Sequence, residues 1–150
     1  MAKFLIPLSL MILFLSSCDR GQQILKDDID EIEEYLEDNN LEAQRTSNDL
    51  FFIIEEEGNG EFPTITDFVT VDYHGYLTDG FVFDSSVERG EPLEFPLTNV
   101  IRGWQEGIPL FSKGGKGKLL IPSHLAYGES GTSGIPGNTP IIFDVHLIDF

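Results

Sequence analysis

The rhythm of apolar and polar positions changes twice along this chain. Residues 4–15, FLIPLSLMILFL, are apolar almost throughout. Residues 24–40 then carry Leu25, Ile29, Ile32, Tyr35 and Leu36 at helical spacing, with acidic residues filling the other face. That spacing predicts an amphipathic helix, stopped at Asn39-Asn40. From about residue 49 the period falls to two. DLFFIIEEEG reads as a strand ending at the turn Gly58-Asn59-Gly60. In FVTVDYHGYL, Val69, Val71 and Tyr73 share one face, and Thr70, Asp72 and His74 the other. LEF at 93–95 and KGKLLIP at 116–122 predict two more strands. The last, PIIFDVHLIDF, sets Phe143, Val145 and Leu147 against Asp144 and His146.

Between the third and fourth strands lies VIRGWQEG, with Ile101, Trp104 and Ile108 at helical spacing. A short helix is predicted at 101–108, although Gly103 and Gly107 each cost a helix about 1 kcal/mol relative to Ala. No other helical pattern separates the strands, so helical crossovers between parallel strands are excluded. About five strands over one short helix make an antiparallel α+β domain, preceded by the acidic helix. The Gly- and Pro-rich segment 128–140 is a long loop, and a loop of that length in a compact domain is functional or mobile.

Length and charge narrow the picture further. A chain of 150 residues fits one domain plus extensions, and 41% apolar content supplies its core. A net charge of −17 leaves no basic face for nucleic acid or for anionic headgroups, and reads as a solvated acidic surface. Cys18 is the one cysteine, so no intramolecular disulfide forms. Its neighbours give it another use. Lys3 precedes the apolar run, which is shorter than the ~20 residues a membrane helix needs and has the length of a signal sequence. Leu15-Ser16-Ser17-Cys18 resembles a bacterial lipobox. That resemblance implies cleavage before Cys18, lipid on its thiol and an acyl chain on the new amine. Several acyl chains anchor stably where one is marginal. A cleaved signal or an N-terminal membrane helix with a coincidental Cys is the alternative. The organisation expected is a signal peptide at 1–17, a lipidated tether with the acidic helix at 18–48, and a globular domain at 49–150. The protein is then membrane-attached and faces the periplasm or the cell exterior. Whether the acidic helix packs on the domain, pairs with a second copy or binds a partner stays open, as does the oligomeric state.

His74, His124 and His146 are scattered and read as solvated. Neither metal-ligand spacing, nor a nucleophile motif, nor a phosphate-binding glycine pattern occurs, so neither metal nor cofactor is implied. Lys113, Lys116 and Lys118 read as a solvated hairpin.

Three stretches carry more specific information: VTVDYHGYLTDGFVFDSS (69–86), NVIRGWQEGIPL (99–110) and IPSHLAYGESGTSGIPGNTPIIFDVHLID (121–149). In this order, over Asp49 to Phe150, they resemble the FKBP family of peptidyl-prolyl isomerases. The layout of lipobox, acidic helix and one such domain is similar to bacterial lipoprotein FKBPs, some of them linked to gliding motility. The resemblance implies a catalytic pocket made by Tyr73, Phe83, Asp84, Trp104, Tyr127 and Phe143. Tyr73 and Phe83 are its walls, Asp84 a buried carboxylate, and Trp104 the floor under a proline ring. Gly103 and Gly107 would let neighbouring backbone approach the indole. Val100, Ile101, Leu93 and Ile135 would contact substrate, with the Ile101 N–H and the Tyr127 hydroxyl donating to carbonyls. Proline-containing polypeptides are the implied substrates, macrolides the implied inhibitors, and folding of exported or envelope proteins the implied task. A non-catalytic proline-binding chaperone or assembly factor, or a structural spacer, are the other readings. Leu93 stands where an aromatic often lines the family's pocket, Thr132 where many members carry His, and the long loop is one residue shorter. Singly, Trp104 and Phe143 read equally as core, Asp84 as a turn residue, and Tyr127 as a surface aromatic. Their joint order favours the pocket.

Overall fold

The computed structural model describes the backbone from Ser9 and side chains from Asp19, in both cases to Phe150. The expected signal peptide, 1–17, and Cys18 lie outside the residues whose side chains are described, and residues 1–8 outside the described backbone as well.

Helix α1 spans Ser9–Asp38. It continues through 19–23, ahead of the helical pattern expected at 24–40, because no proline interrupts it and Gly21 alone is a weak breaker. It stops where the sequence predicts. Asn40 takes a left-handed conformation (φ 53°). The Leu41 N–H then donates to Leu36 O at 2.9 Å and the Asn40 N–H to Glu37 O at 3.1 Å. Those two bonds satisfy carbonyls that the helix end leaves free.

Strand β1 (Gln44–Arg45) leads into β2 (Phe51–Glu56) and then β3 (Phe68–Tyr76). Strand β4 (Val82–Ser85), the single-turn helix α2 (Ser86–Arg89) and β5 (Leu93–Pro96) follow. Helix α3 (Arg102–Gly107), β6 (Lys116–Ile121) and β7 (Ile141–Asp149) complete the domain. Among the described residues seven strands form one sheet in the order β1-β2-β6-β7-β3-β4, with β5 also on β3. Every pair is antiparallel. The α+β architecture therefore holds, with two strands more than the five expected. Both extra strands, β1 and β4, are too short to show an alternation of their own.

Each face of the sheet is covered. Val69, Val71, Tyr73, Leu119, Ile121, Phe143, Val145 and Leu147 point to the inner face and bury against α3 and the segments around it. Leu120 and Ile142, the odd members of the runs in β6 and β7, point outward with Phe51 and bury against Ile32 and Leu36 of α1. An apolar run without alternation is what a strand covered on both faces requires. The acidic helix thus packs on its own domain by its apolar stripe. His74 and His146 share that crowded outer face. They are half-buried rather than solvated, with His74 Nδ1 3.0 Å from Ser85 Oγ. Lys118 is not solvated either, since it lies 2.6 Å from Asp144 with 16% of its side chain exposed.

Helix α3 is seated by its glycines. A Cβ on Gly107 would stand 2.6 Å from Leu119 Cδ2, and one on Gly103 would collide with the Ile121 side chain. What approaches is thus the side chains of β6 and not, as expected, backbone around the indole. Gly103→Ala should lower stability by about 1–3 kcal/mol, because overpacking against fully buried Ile121 outweighs the gain in helix propensity. Urea denaturation checks this. An unchanged or raised midpoint would mean that α3 is not held by this contact.

Candidate active site

The site forms where β3, β4, α3, β7 and the loop after β6 converge. Trp104 is 4% exposed, and its ring is packed on three sides. Tyr73 stands edge-on at 5.2 Å between centroids, Phe143 edge-on at 5.0 Å, and Phe95 tilted at 5.3 Å. Phe83 continues the wall, edge-on to Phe143 at 5.5 Å. Such pairs add about 0.5–1.5 kcal/mol each beyond their buried area. Gly75 makes the wall possible, since a Cβ there would lie 2.7 Å from ring atoms of both Phe83 and Phe143.

These rings enclose a cavity of about 490 Å³, within the ordinary size of a small-molecule pocket. Tyr73, Phe83, Asp84, Leu93, Val100, Ile101, Trp104, Tyr127, Ile135 and Phe143 all line it. So all ten pocket residues expected from sequence come together in one place. Asn99, Thr132 and Ser133 line it as well. The loop 128–140 brings two of these, and it is stitched rather than loose. Thr132 and Ile135 exchange backbone hydrogen bonds at 3.0 Å, and the Asn138 N–H donates to Gly128 O at 2.8 Å.

The polar edge of the pocket is built by the two serines that follow Asp84. Ser85 caps α2 by accepting from the Glu88 N–H at 3.1 Å. Ser86 Oγ accepts from the Tyr73 N–H and donates to Asp72, each at 2.8 Å. That corner turns α2 back over β3 and places Arg89 beside Asp84. The Tyr73 hydroxyl donates to Asp84 Oδ2 at 2.5 Å, and Arg89 donates to the Tyr73 oxygen at 2.9 Å and to the other Asp84 oxygen.

This ring-lined seat with one neutralised carboxylate at its rim coincides with a family match over residues 59–148, described as FKBP-type peptidyl-prolyl cis-trans isomerase. The chain belongs to that family. It is 50% identical over 108 residues to the FKBP-type peptidyl-prolyl cis-trans isomerase FkpA of Buchnera aphidicola subsp. Baizongia pistaciae, covering 72% of this chain and 43% of that one. To FkpA of Escherichia coli K12 it is 50% identical over 107 residues, covering 71% and 40%. The match therefore spans less than half the length of these relatives. The crystal structure of FkpA from Escherichia coli superposes with a TM-score of 0.73 at 39% identity, covering 98% of this chain and 74% of that one. The crystal structure of AtFKBP13 gives 0.67 at 35%, covering 71% and 97%.

Within this FKBP fold Asp84 departs from expectation. Its side chain is 44% exposed, not buried. Burial pushes its carboxyl up, but the Tyr73 hydrogen bond and the Arg89 guanidinium outweigh that and hold it below the ordinary carboxylate value. The Tyr73 phenol is pushed up by burial and by Asp84, so it stays protonated as the donor. Burial and the Asp84 charge also raise the Tyr127 phenol. Arg89 escaped the sequence reading, although its place one helical turn after the FDSS motif was a usable signal.

A group whose folded pKa is depressed adds stability above its unfolded pKa and loses it as pH falls through the folded value. Asp84 should therefore stay ionised, and the site intact, below the usual carboxylate range. Arg89→Met should move the Asp84 titration upward, as read by carboxyl-carbon NMR. An unmoved titration would show that Arg89 does not hold the charge.

Proposed function

We propose that this chain catalyses cis–trans isomerisation of Xaa-Pro bonds in exported or envelope polypeptides while a lipid on Cys18 holds it to a membrane. The observation that carries the catalytic part is the seat formed by Trp104 among Tyr73, Phe83 and Phe143, flat, apolar and open at one side. An Xaa-Pro bond rotates over a barrier of ~18–20 kcal/mol, in tens to hundreds of seconds unaided. The barrier is amide resonance, which places charge on the carbonyl oxygen. In the twisted transition state that charge falls and the nitrogen lone pair is freed. An aromatic pocket that strips water from the planar amide therefore disfavours it relative to the twisted one. The Ile101 N–H and the Tyr127 hydroxyl hold the chain on either side. A hundredfold acceleration needs only ~2.7 kcal/mol, which a few oriented contacts supply. Asp84 and Arg89 orient Tyr73 and complete the rim. Proton transfer has no part in the step.

Sequence supports the envelope part of the reading. The lipobox-like Leu15–Cys18 follows an apolar run of signal length. Among the described residues no helix is long and apolar enough to cross a membrane. On this reading residues 1–17 are removed, 18–48 carry lipid and helix, and 49–150 form the isomerase domain. An exposed apolar rim favours a second reading. Phe81 is 53% exposed, Leu93 40% and Tyr127 37%. A rim of this kind suits holding an extended proline-bearing segment without turnover, as a chaperone or an assembly factor for an envelope complex such as a gliding apparatus would. The same seat would accept a macrolide inhibitor.

The test is exchange of an Xaa-Pro peptide by the purified chain. Trp104→Leu keeps an apolar floor while removing the flat ring, and should lower kcat/KM about tenfold or more. Tyr127→Phe should cost about threefold, the loss of one neutral hydrogen bond. A folded parent that does not accelerate exchange would leave only the proline-holding role. Separately, Cys18→Ser should move the chain from the membrane fraction to the soluble one; retention at the membrane would exclude the lipid anchor.

A further inference from the structure

One buried carboxylate plays no part in the pocket chemistry. Asp28 is 3% exposed on a helix whose docked stripe is otherwise apolar. Among the described residues it joins no ion pair. Its Oδ2 accepts from the Ser123 backbone N–H at 2.8 Å and from Ser123 Oγ at 2.5 Å. Ser123 is itself 2% exposed. Burying a carboxylate is costly unless its hydrogen bonds are made, so its place at Ser123 calls for a purpose.

Ser123 begins a single 3-10 turn, Ser123–Leu125. The residue that would normally cap this turn is Pro122, which has no side-chain group to do it. Asp28 takes that place from another element, as an acceptor on the first free N–H of the turn. Inside the turn the Leu125 N–H donates to Pro122 O and the Ala126 N–H to Ser123 O, both at 3.0 Å. Leu125 is 1% exposed and pins the turn from below. Two residues on comes Tyr127, whose hydroxyl makes no hydrogen bond among the described residues. No partner aims that hydroxyl, so the backbone has to. Downstream, that backbone is held by the bond from the Gly131 N–H to Tyr127 O at 3.2 Å. Upstream, it is held by Asp28.

We propose that Asp28 is a positioning residue for the isomerase site: helix α1 clamps the Ser123 turn and thereby fixes where Tyr127 enters the pocket. The inference rests on Tyr127 acting on substrate as proposed above. It makes α1, which contributes no residue to the cavity, a part of the working site.

The experiment uses the full chain and crosses Asp28→Ala and Asp28→Asn with Tyr127→Phe. Amide hydrogen exchange over 123–130 is read beside kcat/KM, and Ile32→Ala serves as a variant that loosens α1 packing without touching the turn. Asp28→Ala should lower kcat/KM about threefold in the parent, as much as loss of the Tyr127 hydroxyl itself, and leave it nearly unchanged in the Tyr127→Phe background. Asp28→Asn retains one acceptor oxygen and should recover most of the loss. Exchange at 123–130 should quicken in Asp28→Ala and not in Ile32→Ala. Equal losses with and without the Tyr127 hydroxyl, or exchange at 123–130 that does not respond to Asp28, would overturn the proposal. If Asp28→Ala fails to fold, the same cycle with Ser123→Ala, which removes the Oγ donor alone, decides it. A parent without isomerase activity would fail the functional reading. The exchange comparison would still judge the clamp.

Discussion

Helix α3 lies closer to β6 than any side chain on its facing side would allow, and the pocket follows from that approach. Six residues with two glycines cannot hold a helix in water. Leu119 and Ile121, both fully buried, occupy the space where Cβ atoms of Gly107 and Gly103 would be. The helix is thus set by tertiary contact, and its one large side chain is set with it. Trp104 lands where β3 and β7 present Tyr73 and Phe143, and three ring contacts close around it. If α3 lay one methyl group further out, that edge-to-face packing would be lost, and the floor of the pocket with it.

Covering both faces of the sheet gives the site its support. Neighbouring residues in β6 and β7 serve opposite layers: Leu120 and Ile142 serve α1, while Leu119, Ile121 and Phe143 serve α3. Burial of a large apolar side chain stabilises by roughly 1.5–3 kcal/mol. The helix on the outer face therefore contributes to a sheet whose inner face carries the pocket wall. Asp28 joins the two layers by a polar contact, at a point where α1 passes the end of β6.

Chemistry in the pocket is divided between an apolar seat and a polar rim. On the proposed function the seat needs low polarity, because its work would be to strip water from an amide. On the same reading the rim needs a fixed charge pattern without a net charge facing a bound polypeptide. Arg89 meets that need by neutralising Asp84 and sharing the Tyr73 oxygen. In a chain with a net charge of −17, an uncompensated carboxylate at the mouth would add to the negative field there and repel any acidic ligand. The acidic surplus is instead carried elsewhere, much of it on the solvent face of α1.

Local pattern determined a good deal of this protein. The alternation in β3 and β7 set which side chains face inward, because a strand's side chains alternate sides whatever it pairs with. The stop of α1 was written in Asn39-Asn40, because Asn accepts the left-handed conformation a helix end requires. The ten pocket residues were legible as an ordered set of motifs, though not one of them was diagnostic alone. Tertiary structure decided the rest. Strand β4 exists only as a partner of β3, and its four residues are too few to announce themselves. The half-exposed state of Asp84 and the position of Arg89 depend on how α2 folds back over β3. The burial of Lys118 depends on Asp144 across the β6–β7 pair. Asp28 looked like one more acid on an acidic helix, and its partner lies 95 residues away. Periodicity reports which way a side chain points along its own element, but what it meets there is set by contacts between elements far apart in the chain.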